Sequence, residues 1–160
     1  MKLYHGSNVR IEKIDLYRGR VGKDFGRGFY LSSDRQQAAV MAQTAVEREG
    51  NGVPFLNCFD FDDSCLTNGS LRVKIFEGYS QEWAEFIIAN RSNRIDKQVH
   101  DYDIVYGPIA DDRVGLQLRR FQNMYISLNQ LVEELQYVYP TFQYFFGTEQ
   151  SLEYLKKSDE

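Results

Sequence analysis

The chain has 160 residues, 42% hydrophobic and 26% charged, with only 3 Pro, a length and balance that exclude a mainly disordered chain and a second full domain. Its 19 Lys and Arg against 23 Asp and Glu give a formal charge of −4, so there is no general attraction to nucleic-acid backbones and any anion site must be a local basic loop. No apolar run approaches the roughly 20 residues of a membrane helix; Met1-Lys2-Leu3-Tyr4-His5 opens without a cationic and apolar leader, and Cys58 and Cys65 form no metal or disulfide framework, so a cytoplasmic location is expected.

In chain order, Lys2 to His5 alternates as a strand and breaks at Gly6-Ser7, which places His5 at the strand end. Asn8 to Gly28 sets Gly19, Gly22, Gly26 and Gly28 among Arg18, Arg20, Lys23 and Arg27, the composition of a basic, bendable loop. Gly28 to Ser33 is strand-prone, and Asp34 is suited to cap an alanine-rich helix over 35–49 that ends at Gly50-Asn51-Gly52. Phe55 to Phe61 and Leu71 to Phe76 alternate on either side of Asn68-Gly69 and are expected to be adjacent strands. Ser80 caps a helix over 81–91, with Trp83 expected in the core. Tyr102 to Gly107 predicts a buried strand stopped by Pro108. Leu116, Phe121, Tyr125, Leu128, Leu131 and Leu135 predict one long helix running to Tyr139 before Pro140, its stripe a packing face. Phe142 to Phe146 is a last strand, Thr148 caps a closing helix over 149–156, and 157–160 reads as a loose tail. Strands and helices follow one another without a regular βαβ beat, which predicts a single α+β domain over 1–156.

Most familiar chemistries are absent. His5 and His100 have no metal-ligand spacing, so no metal is expected. There is no GxSxG elbow, although Ser7 lies two residues from His5, and no GxxxxGK phosphate loop. What remains is Tyr4-His5-Gly6-Ser7 followed by Asp24-Phe25-Gly26-Arg27-Gly28-Phe29-Tyr30-Leu31-Ser32. An imidazole can hydrogen-bond a ribose hydroxyl, a tyrosine face can stack on a flat heteroaromatic ring, and glycines let backbone come close. Such a crevice suits a dinucleotide.

The order His-Gly-Ser, then Phe-Gly-x-Gly-Phe-Tyr-Leu-Ser, resembles the ADP-ribosyltransferases of the His-Tyr-Glu type and, within them, the DUF3990 family. The resemblance extends through Glu82 to Ile87 with Asn90-Arg91, through Tyr102 to Asp112, and through Phe142 to Glu149. It implies a split mixed β core with flanking helices that holds NAD+ as substrate. His5 would then hold a ribose hydroxyl, the Gly6 backbone the nicotinamide amide, and Tyr30 would stack on the nicotinamide ring. Ser7, Arg20, Asp24, Phe25, Gly26, Gly28, Phe29 and Ser32 would complete the binding surface. The third catalytic position, an acid in the family pattern, falls on Gln143, with Glu85 the second choice and Glu82 and Glu149 further carboxylates.

Glutamine can bond the ribose but cannot accept the attacking group's proton. The expected activity is transfer of ADP-ribose to a macromolecular acceptor with release of nicotinamide, in a bacterial toxin-type effector whose antitoxin partner is implied by the resemblance alone. NAD+ hydrolysis, nucleotide binding without turnover and a purely structural interaction role are the alternatives. Among the loop cations, Arg18, Arg20, Lys23 and Arg27 are candidates for a pyrophosphate, as are Arg91 and Arg94.

Overall fold

The computed structural model describes residues 1–159 and has an α+β architecture of two sheets with five helices. The first sheet is antiparallel, in the order β1 (Lys2–Ser7), β3 (Phe55–Phe61), β7 (Leu155–Ser158). The second is mixed, in the order β2 (Phe29–Leu31), β6 (Thr141–Phe146), β5 (Ile104–Ile109), β4 (Val73–Ile75), with only the β4–β5 pair parallel.

Period-two alternation gives the second sheet two buried faces. Ile104, Tyr144 and Phe146 point toward the first sheet and meet Leu3, Phe59 and Phe61 in one core. Val105 and Phe145 point the other way, into a core closed by Trp83 and Ile87 of α2 (Gln81–Arg91), Leu118 of α3 (Asp112–Gln122), and Leu131 and Leu135 of α4 (Leu128–Leu135). Trp83 is fully buried, and its indole N–H donates to the Pro108 carbonyl at 2.7 Å.

The helix α1 (Arg35–Glu49) forms over the predicted span. Asp34 caps it by accepting from the Gln36 and Gln37 N–H groups, and Gly50, at φ 71°, takes the left-handed turn that ends it. Its inward stripe of Ala38, Ala42 and Ala45 is small, so β1 lies close against it. A Cβ at Gly6 would stand 2.0 Å from the Ala38 carbonyl oxygen.

Several expectations are corrected. β1 runs on to Ser7, so His5 lies inside a strand rather than at its end. β3 and the segment around β4 are not neighbours: β3 pairs with β1 and β7, while β4 lies in the other sheet. Pro108 sits within β5 instead of ending it; its carbonyl turns away from β6 to Trp83, and β4 has already ended on that side, so the missing N–H breaks no ladder bond.

The long helix is two. Met124 at φ 63° interrupts the stripe, and Ser127 with Gln130 forms a capping box that starts α4 afresh. Leu116 and Tyr125 are consequently exposed, and Leu118 takes the inner position. The closing helix, α5, covers only Glu149–Leu152, and Leu155–Ser158 is a paired strand that replaces both the expected end of that helix and the start of the expected loose tail at 157. Among the described residues, no helix is long and apolar enough to cross a membrane.

Candidate functional site

The two sheets touch through one isolated bridge, where Tyr4 and Ser32 exchange backbone bonds of 2.8 Å in each direction. Continued, that register would pair Gly6 with Tyr30, but the strands part and a cleft opens. The Tyr30 carbonyl is satisfied by a side chain instead: His5 Nδ1 donates to it at 2.6 Å. The imidazole stacks on Phe29 with centroids 4.3 Å apart. Burial lowers the His5 pKa to about 4, opposed by the bond to Tyr30 and assisted by the charges of Lys23 and Arg48. The ring is therefore neutral at physiological pH with its proton on Nδ1, which leaves Nε2 as an acceptor.

Tyr30 is clasped by its own loop. Its hydroxyl donates to the Gly26 carbonyl at 2.6 Å and accepts from the Phe25 N–H at 3.0 Å. Burial holds its pKa well above the ordinary value, so it stays a phenol. Phe25 and Phe145 pack against the ring, and the Lys23 ammonium lies 5.3 Å from its centroid. Gln143, on β6 and 5% exposed, donates from Nε2 to the Met41 sulfur at 3.3 Å.

His5, Tyr30 and Gln143 line one cavity of about 400 Å3, a size that suits a small-molecule site. Its opposite wall is α1, which presents Ala38, Met41, Ala45 and Arg48 at spacings of three and four. A second cavity of about 340 Å3 adjoins it, sharing His5, Ser7, Lys23, Gly28 and Arg48 and adding Arg18 and Arg20. Desolvation, then the neighbouring charges of Arg48 and Arg20, lower the Lys23 pKa, opposed by Asp24. The first cavity thus combines the Tyr30 ring with the charges of Asp24 and Arg91, and the second, where Lys13, Arg18 and Arg20 stand beside Asp15 and Glu49, is cationic on balance.

Residues 1–157 match the family described as protein of unknown function (DUF3990). The chain belongs to the DUF3990 family. No curated protein and no solved structure matches it.

In this DUF3990 chain, Gly6, Ser7, Asp24, Gly28 and Ser32 line the first cavity with the three principal residues, while Arg20 and Phe29 line the second. Phe25 and Gly26 line neither: Phe25 is core, and Gly26 supplies the carbonyl beneath the Tyr30 hydroxyl. The motif glycines also answer to packing. A Cβ on Gly28 would lie 2.3 Å from the Phe145 ring, and Gly26 has φ 101°.

The alternative carboxylates lie elsewhere. Glu82 pairs with Lys74, Glu85 is exposed on α2, and Glu149 borders a separate cavity beside Arg27. Arg27 turns away to Asp96, and Arg94 bonds the Arg91 and Asn93 carbonyls, whereas Arg91 reaches the first cavity. Arg48 and Met41 are lining residues that the motifs did not mark, as are Ala38 and Ala45; the signal was their shared face on α1. Among the described residues, no group of three His, Cys, Asp or Glu side chains could hold a metal, and Cys58 and Cys65 are free thiols.

Proposed function

We propose that this protein is an NAD+-dependent ADP-ribosyltransferase with a core of the ADP-ribosyltransferase type. It binds the nicotinamide riboside in the His5–Tyr30–Gln143 cavity and the pyrophosphate along Arg18, Arg20, Lys23 and Arg48. The observation that carries the reading is the convergence of those three side chains, from β1, β2 and β6, on one cavity with a cationic annex. The neutral His5 accepts a ribose hydroxyl at Nε2, the Gly6 backbone meets the carboxamide, and the Tyr30 ring stacks on the nicotinamide as Lys23 swings from the ring to the phosphates. Gln143 bonds the ribose without taking its proton.

Cleavage of the bond between ribose and nicotinamide moves positive charge from the pyridinium ring onto the sugar, and a rigid set of acceptors around the ribose favours that charge distribution over the ground state's. Positioning supplies a large part of the rate. The acceptor is a macromolecule, and the biological setting is that of a toxin-type effector restrained by an antitoxin.

The test is calorimetry with NAD+ followed by a nicotinamide-release assay with labelled NAD+. Binding, release, and label retained on protein or nucleic acid support transfer. Free ADP-ribose as the sole product supports hydrolysis, and binding without release a nucleotide-holding module. Tyr30→Ala should weaken NAD+ binding by about fivefold or more through lost stacking. Absence of binding at millimolar NAD+ refutes the reading.

A further inference from the structure

Gln143 cannot take the proton that transfer to a hydroxyl or amine releases, and His5, with a pKa of about 4 and its Nε2 assigned to a ribose hydroxyl, is a poor substitute. Asp24 is the one carboxylate among the described residues that line the first cavity. It stands in the loop that opens the Asp-Phe-Gly stretch, with its side chain 13% exposed toward that space. Two fixed donors orient it. Arg91 Nε of α2 lies 2.9 Å from Oδ1, and the Ala110 N–H, just past β5, donates to Oδ2 at 2.7 Å. A carboxylate offers about four lone-pair sites, and these contacts occupy one on each oxygen, so acceptor capacity remains on both. Glu82, Glu85 and Glu149 have no comparable position, since none lines this cavity.

We propose that Asp24 is the general base of the reaction, taking the place of the acid absent from position 143. This rests on the reading that the cavity binds NAD+. In the step, the bond between ribose C1′ and the nicotinamide nitrogen breaks and its electron pair leaves with nicotinamide. The acceptor oxygen or nitrogen forms the new bond to C1′, and its proton passes to the Asp24 carboxylate. With water as acceptor the same balance yields ADP-ribose. No oxidant or second cofactor is required.

The surroundings tune the group in both directions. Burial raises its pKa, opposed by Arg91, the Ala110 N–H and Lys23. The groups facing it are Arg91 from α2, Lys23 beside it and the Tyr30 phenol of β2, whose own titration Asp24 displaces upward. A base raised above an ordinary carboxylate is a stronger proton acceptor.

The test compares wild type with Asp24→Asn, using NAD+ as ligand and water as acceptor. The variant should bind NAD+ within about threefold of wild type by calorimetry while nicotinamide release falls about 100-fold or more, the range for loss of a general base. The acid limb of the wild-type pH–rate profile should disappear with it, and Asp24→Glu should restore part of the rate.

Release within tenfold of wild type overturns the inference, as does parallel loss of binding and rate, which marks a purely structural tie to Arg91 and Ala110. Should Asp24→Asn melt below the assay temperature, Arg91→Gln replaces it: removing the cation must move the acid limb to higher pH, and an unmoved limb overturns the assignment. Wild-type protein that fails to bind NAD+ defeats the reading of the cavity itself. Wild-type turnover with an unimpaired Asp24→Asn defeats this inference alone.

Discussion

Replacing His5 by glutamine removes a titrating group while keeping an N–H donor for the Tyr30 carbonyl. In the folded protein the imidazole titrates at about 4, against an ordinary value of 6.5. As pH falls below 6.5, the unfolded chain takes up a proton that the folded chain refuses, so wild-type stability is full above 6.5 and declines toward 4. At about 1.36 kcal/mol per pH unit, the loss across that window is about 3 kcal/mol. His100 and Asp24 titrate in both proteins and cancel in the difference. Urea unfolding of wild type and His5→Gln from pH 7.5 to 4 should therefore give curves that converge on the acid side by about 3 kcal/mol. Curves that stay parallel within about 0.5 kcal/mol would show that the ring is not held neutral, and the acceptor role of Nε2 would fail with it.

Two stability predictions test the local geometry. Gly6→Ala would set a methyl group 2.0 Å from the Ala38 carbonyl oxygen and 2.5 Å from the Ala42 nitrogen, forcing β1 and α1 apart. Chemical denaturation should register a loss of about 2 kcal/mol or more, and a loss under about 0.5 kcal/mol contradicts the close approach. Met124→Gly should act in the opposite direction. Met124 is 89% exposed and holds φ 63°, so relieving the left-handed strain should stabilise the protein by up to about 1 kcal/mol, read as a higher Tm. A lower Tm contradicts it.

The parts of the fold legible in the sequence are those with local punctuation. Asp34 and Gly50 bracket α1, and Ser80 opens α2, because capping is decided within a few residues. The break between α3 and α4 has its signal in Ser127-x-x-Gln130, but the apolar stripe runs straight across a turn made by methionine instead of glycine, and periodicity conceals it. β7 reads as polar because it is an edge strand, and its identity comes from pairing with β3, about a hundred residues earlier.

At the cleft, His5 and Tyr30 were legible because their motifs are compact. Arg48 and Met41 were not, since which face of α1 meets the cavity depends on how closely Gly6 lets β1 approach. Asp24 was visible as a motif member, while its bonds to Arg91 and Ala110 depend on the third dimension.

The seam between Tyr4 and Ser32 bears on how the groove responds to what enters it. With a single rung of main-chain bonding joining the layers among the described residues, the gape beyond it is governed by the interlayer phenyl rings and by the imidazole wedged against the Tyr30 carbonyl. Trimming a ring behind that wedge leaves the main-chain bonds of both ladders intact. The width of the mouth is thus a property of side chains, open to adjustment by substitution while the backbone frame stays as it is.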